Sequence, residues 1–181
     1  MFTCYGLKPI YSFLFFIRRL RGWRWMRLLT SRFGEVEIDK ESTYIFSHGL
    51  PGFEELQQFA FLPIQEDSHF LFMQSVDQGD LAFIVTNPFE FFSDYEFDLS
   101  EAVRDELQIV KDTDVIVLSM VSVQDHIQEA TVNLLAPIII NIKHKLARQI
   151  ILHGSPYSIK HKLFPNNHKE DSQPGKESST C

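Results

Sequence analysis

Short runs of alternating or uniformly apolar residues, separated by polar turn-formers, dominate the middle of this chain. Gly34 to Ile38 (GEVEI) alternates polar and apolar, the period of a half-buried strand. Thr43 to Phe46 is a second β-prone run, followed by Gly49-Leu50-Pro51-Gly52. Its Pro and Gly occupy the two central positions of a type II turn, which predicts that Phe53, Leu56 and Phe59 reach the core from a short helical turn. Three further runs, Phe59 to Ile64, Phe70 to Val76 and Leu81 to Thr86, are separated by Gln65-Glu66-Asp67-Ser68 and Asp77-Gln78-Gly79-Asp80. The second separator reads as a hairpin loop. Asn87-Pro88 ends the third run, because Pro cannot donate to a strand ladder.

One helix is predicted after them. Asp98 to Glu101 has capping-box spacing, and Leu99, Val103 and Leu107 fall on one stripe at i, i+4 and i+8. Val115 to Val123 (VIVLSMVSV) is almost wholly apolar and suits a central strand covered on both faces. Thr131 to Leu135, Ile138 to Ile142 and Arg148 to Leu152 complete the strands, with Pro137 at a bend. Many short strands and one short helix predict a mainly β, single-domain antiparallel fold, barrel or sandwich.

The ends differ from this middle. Residues 1–25 hold Lys8, Arg18, Arg19, Arg21 and Arg24 and no acid. Their apolar run, Ile10 to Ile17, is far short of the ~20 residues a spanning helix needs, and its charges follow it, unlike a signal peptide's. The pattern favours an extension outside a domain that starts at Met26, over a basic, aromatic membrane-surface anchor. Residues 165–181 are polar and read as a disordered tail. The domain is therefore 26–164.

Charge sharpens the picture. The whole chain carries −7, but without the five basic residues of the extension 12 basic side chains face 24 acidic ones, a net −12. Such a field repels phosphate backbones and steers basic partners in, so direct nucleic-acid binding is not expected. The two cysteines, Cys4 and Cys181, stand near opposite ends and form no disulfide framework or ligand cluster. A reducing, cytoplasmic setting fits that usage.

Chemistry is sparse. There is no nucleophile elbow, P-loop or dinucleotide fingerprint, and no cofactor is expected. Seven histidines are scattered without compact metal-ligand spacing, so no metal site is expected. Paired acids occur at Glu54/Glu55, Glu66/Asp67 and Asp94/Glu96. The last pair differs, because Phe92, Tyr95 and Phe97 surround it. If that segment is extended, Asp94 and Glu96 share one face and Tyr95 and Phe97 the other. An acidic rim beside an aromatic patch suits a basic protein partner, whereas a core edge with solubilising acids would give the same composition. The candidate partner-binding residues are Asp94, Tyr95, Glu96 and Asn133. Tyr95 would be an aromatic anchor, and Asn133 is either displayed for recognition or caps the bend before Pro137.

Five segments in order resemble a known family. Gly49 to Glu54 (GLPGFE), Ala82 to Phe89 (AFIVTNPF), Asp94 to Phe97 (DYEF), Thr131 to Ile138 (TVNLLAPI) and Ile151 to Tyr157 (ILHGSPY) are similar to elements of the flagellar assembly factor FliW. Asn87 stands where Asp is common, and Val132 where Ala is. The resemblance runs from about Met26 to Phe164. It implies a compact β-barrel-like fold in the bacterial cytoplasm and a role in binding proteins without catalysis. It also implies two partners: newly made flagellin, and the RNA-binding translational repressor CsrA, whose sequestration restores flagellin translation. An enzymatic alternative is a split-barrel flavin-binding oxidoreductase, against which stands the shortage of basic residues for a cofactor phosphate.

Overall fold

The computed structural model describes residues 25–65 and 68–164. The extension at 1–24, the tail at 165–181, both cysteines and the Glu66-Asp67 pair lie outside them. The strands are β1 (Trp25–Thr30), β2 (Gly34–Asp39), β3 (Thr43–Phe46), β4 (Gln58–Pro63), β5 (Phe70–Ser75) and β6 (Ala82–Thr86). Helix α1 (Glu101–Glu106) follows, then β7 (Val115–Ser122), β8 (Thr131–Val132), β9 (Ile138–Asn141), β10 (Leu146–Gln149) and β11 (His161–Lys162).

Seven strands close on themselves in the order β7-β6-β5-β4-β3-β10-β9, with β9 returning to pair with β7. The fold is mainly β and barrel-like, with one short α-helix among the described residues. Closure removes the long open edges that a flat sheet of this composition would present for aggregation. All pairings are antiparallel except β3 with β10, which is parallel over Leu146↔Ile45 and Ala147↔Phe46. β8 and β11 extend the sheet beyond the ring. β1 and β2 form a separate hairpin, in register from Trp25↔Asp39 to Thr30↔Gly34. Trp25, assigned by sequence to the extension, thus opens the first strand.

β7 shows why its apolar run is continuous. Ile116 and Leu118 join one core with Tyr44, Phe46, Phe59, Leu71 and Met73, inside the ring. Val115, Val117 and Val121 join the other, with Tyr95, Phe97, Leu99, Val103 and Leu107, under the segment that crosses the outside of the barrel. Each fully buried Phe or Leu contributes roughly 1.5–3 kcal/mol of transfer free energy, so both faces of this strand are stabilising.

The Pro51-Gly52 turn forms as predicted. Phe53 N–H donates to the Leu50 carbonyl at 2.7 Å, and Gly52 has φ +83°. A single i→i+3 turn follows it, Leu56 N–H donating to the Phe53 carbonyl at 3.1 Å, and Leu56 packs against the core. Leu50 is buried, Phe53 stays exposed with its ring against Phe83, and Phe59 reaches the core from β4. Gly52 N–H also donates to Glu54 Oε1 at 2.9 Å, holding that carboxyl below the usual carboxylate range.

Helix α1 starts two residues later than capping-box spacing suggests. Ser100, not Asp98, is the N-cap, with Oγ accepting from Val103 N–H. The predicted stripe nevertheless holds, since Leu99, Val103 and Leu107 enter the same core. Beyond the helix, buried Asn141 donates from Nδ2 to the carbonyls of Leu107 (2.8 Å) and Gln108 (3.0 Å). Its Oδ1 accepts from Lys143 and His144 N–H groups.

Candidate functional site

The 94–100 segment crosses the outside of the barrel and forms no named strand of its own, with a single β-bridge at Asp98, yet its side chains alternate. Tyr95, Phe97 and Leu99 are buried, while Asp94, Glu96, Asp98 and Ser100 are exposed. The sequence expectation that Asp94 and Glu96 share one face is met. The reason is local: aromatic residues at every second position are drawn into the core, and the polar residues between them are left in water.

Tyr95 does not display its ring. It is 2% exposed, packs at 5.4–5.6 Å from Phe89 and Phe97, and donates its hydroxyl to the Leu134 carbonyl at 2.7 Å. Its polar tip serves the interior, so the expected surface anchor is a core residue. Asn133 is half-buried and its Oδ1 accepts from Ala136 N–H at 2.9 Å. It closes the turn that leads into Pro137, the capping role rather than a displayed amide. The bond between Tyr95 and Leu134 brings the DYEF and TVNLLAPI segments together.

Tyr157 is the residue that sequence reasoning passed over. Its hydroxyl accepts from Glu96 N–H at 2.9 Å and donates to the Glu96 carbonyl at 3.1 Å. That bracket holds the backbone between the two acids in place. The available signal was the Gly154-Ser155-Pro156 turn just before it, which bends the chain back toward the acidic segment; Gly154 has φ +75°.

Two grooves flank Tyr157. One, of about 500 Å³, runs between Glu96–Val103 and Ile150–Tyr157. The other, of about 330 Å³, is lined by Phe91, Phe92, Asp94, Tyr95, Leu134, Tyr157 and His161, with Ser93. Among the described residues, no lysine or arginine lines either. Neither Asp94 nor Glu96 forms an ion pair among the described residues; Ser93 Oγ donates to the Asp94 carboxylate at 3.2 Å. The two carboxylates therefore face water as uncompensated charge. No group of three or more His, Cys, Asp or Glu side chains capable of holding a metal occurs among the described residues.

Comparisons with known proteins identify the family. The family model described as FliW protein matches residues 27–163. The chain belongs to the FliW family. Flagellar assembly factor FliW of Bacillus subtilis (strain 168) is 44% identical over 138 residues, covering 76% of this chain and 96% of that protein. The FliW of Desulfitobacterium hafniense is 40% identical over 152 residues, covering 84% of this chain and all of its own. A crystal structure of the flagellar assembly factor FliW superposes with a TM-score of 0.75 at 36% identity, covering 79% of this chain and 100% of that one. All five segments noted by sequence fall inside the FliW match, and the structure gathers DYEF, TVNLLAPI and ILHGSPY at one site. No helix among the described residues is long and apolar enough to cross a membrane.

Proposed function

We propose that this chain is a cytoplasmic, non-catalytic regulator of flagellum assembly that binds newly made flagellin and sequesters the repressor CsrA, relieving repression of flagellin translation. The observation that carries the reading, beyond membership of a family of flagellar assembly factors, is the uncompensated Asp94/Glu96 pair held out by the Tyr157 bracket. An RNA-binding repressor presents basic side chains, and a rigidly displayed acidic pair complements them and steers their approach. Antagonism need not cover the repressor's RNA surface; a difference in affinity between its free and RNA-bound states is enough. The flavin-enzyme alternative is not favoured: among the described residues neither groove offers a lysine or arginine to a cofactor phosphate.

The test is capture of purified flagellin and CsrA by this chain and by an Asp94→Lys, Glu96→Lys double variant. Both positions are exposed, so each change is expected to alter stability by no more than ~0.5 kcal/mol. Loss of CsrA capture by a folded double variant supports the reading. Normal capture of both partners places the site elsewhere. For the parent, association with CsrA slows as salt rises past ~0.1 M, where the Debye length is about 10 Å; salt-independent kinetics argue against steering.

A further inference from the structure

The larger groove has features that the acidic pair alone does not explain. Past β10 the chain keeps its direction: the amides of Ile150 and Leu152 donate to the carbonyls of Pro137 (3.0 Å) and Leu135 (2.9 Å). Backbone groups alternate sides along an extended chain. The Ile151 amide between them therefore faces the other way, into the groove, and makes no hydrogen bond among the described residues. β3 covers that side of β10 only at Leu146 and Ala147; beyond them the Ile151 carbonyl accepts from His153 N–H at 3.1 Å while the Ile151 amide stays available. The Ile151 side chain is 53% exposed beside it. Across the groove stand Glu96 and Asp98, with Phe97 and Val103 below them.

We propose that this groove takes an extended peptide segment of a protein partner, alternating basic and apolar residues, which adds as a strand along the Gln149–Leu152 edge. An open edge supplies main-chain hydrogen bonds, and the groove walls select alternate side chains. The apolar side chains of the segment pack on Ile151, which is on the face opposite Ile150 and Leu152. Its basic side chains meet Glu96, in a groove that no lysine or arginine lines among the described residues. Charge complementarity thus picks the occupant: an acidic strand is repelled at the same wall. The inference rests on the reading of this chain as a protein-binding regulator and specifies how one part of a partner docks.

The experiment titrates the full chain into a fluorescein-labelled peptide, KVKIKVKI, read by fluorescence anisotropy. Three comparison peptides are an EVEIEVEI version, a copy N-methylated at alternate residues, and a helix-forming peptide of equal charge. Saturable binding of the first, weakened at least tenfold by N-methylation and at least tenfold by Ile151→Lys in the protein, supports the proposal. A Gln128→Lys variant, with the same +1 charge change on the exposed 123–129 loop, should shift Kd less than threefold. Equal binding of the N-methylated or helical peptide, insensitivity to Ile151→Lys, or an equal effect of the remote variant overturns it. Capture of flagellin and CsrA is measured on the same protein. Capture without peptide binding defeats the groove proposal alone, whereas failure to capture either partner defeats the functional reading.

Discussion

Tyr95 and Tyr157 meet edge to face, with ring centroids 4.6 Å apart and planes at 61°. Their hydroxyls point to different tasks, one into the core at Leu134 and the other at the backbone of Glu96. The difference in burial predicts a difference in consequence. Tyr95→Phe strips a buried carbonyl of a donor and should cost about 1–3 kcal/mol, whereas Tyr157→Phe removes a solvent-exposed bond and should cost about 0.5–1.5 kcal/mol. Partner capture should follow the opposite order, because only Tyr157 fixes the acidic pair. Urea unfolding and partner capture on both variants check this; a Tyr157→Phe protein that binds as well as the parent would remove the bracket from the argument.

Asn141 links the end of α1 to the β9–β10 turn using both ends of its amide. It is fully buried and makes four hydrogen bonds. Asn141→Leu matches the volume but orphans two carbonyls and two amides. The expected loss is at least about 2 kcal/mol, since each buried orphan carries its own desolvation cost. Asn141→Asp keeps the acceptor and loses the two donors, so the Lys143 and His144 amides stay satisfied while the Leu107 and Gln108 carbonyls do not. Denaturant midpoints of both variants measure the effect, and a loss below 0.5 kcal/mol in each would mean that water replaces the side chain.

The strands from β3 to β7 could be read from the sequence because their signals are local: alternation, apolar runs, and turn residues between them. What was missed depends on partners distant in sequence. The strand expected at Arg148 to Leu152 forms at Leu146–Gln149, where parallel pairing with β3 begins directly after Lys145 at φ +59°. The run from Thr131 stops after Val132 because Asn133 turns the chain. β11 is only two polar residues, His161–Lys162, and leaves little trace in hydrophobic pattern. At the site, the acidic face followed from two-residue periodicity. The burial of Tyr95 did not, because an aromatic between acids looks the same in sequence whether it faces water or a second core layer.

Gly49 and Gly52 frame one turn but differ in why glycine is needed. Both have positive φ, +63° and +83°. A Cβ on Gly52 meets nothing within 4 Å, while one on Gly49 falls 2.6 Å from the Glu54 Cα and the Phe53 carbonyl oxygen. Gly52→Ala therefore carries only the left-handed backbone cost, roughly 1–2 kcal/mol. Gly49→Ala adds a clash with backbone that cannot rotate away, and should be clearly the more damaging by thermal or urea unfolding. Equal losses would show that the 49–54 turn shifts as a unit.

Tyr44 and Lys145 give the alkaline side of the stability profile a predictable shape. Lys145 Nζ donates to the Tyr44 hydroxyl at 3.1 Å and stands 4.6 Å over its ring. Burial pushes the Tyr44 phenol well above its ordinary range. Burial also pulls the Lys145 ammonium down, opposed by the negative charge of Asp39. The lysine sheds its proton in the folded chain before it would in the unfolded one, so its contribution to stability rises with pH between its lowered pKa and about 10.4. The phenol acts in the other direction. The unfolded chain ionises Tyr44 near pH 10 while the folded chain keeps it neutral, so its contribution is intact below pH 10 and is lost above it, at up to about 1.4 kcal/mol per pH unit. Tyr44→Phe removes that decline. The stability gap between parent and variant, measured by urea unfolding, should be constant from pH 8 to 9.5 and shift by about 1–2 kcal/mol in the variant's favour by pH 11.5. A gap that stays constant through pH 11.5 would mean that the phenol ionises as readily in the folded chain as in the unfolded one, and that Tyr44 is not sealed from water.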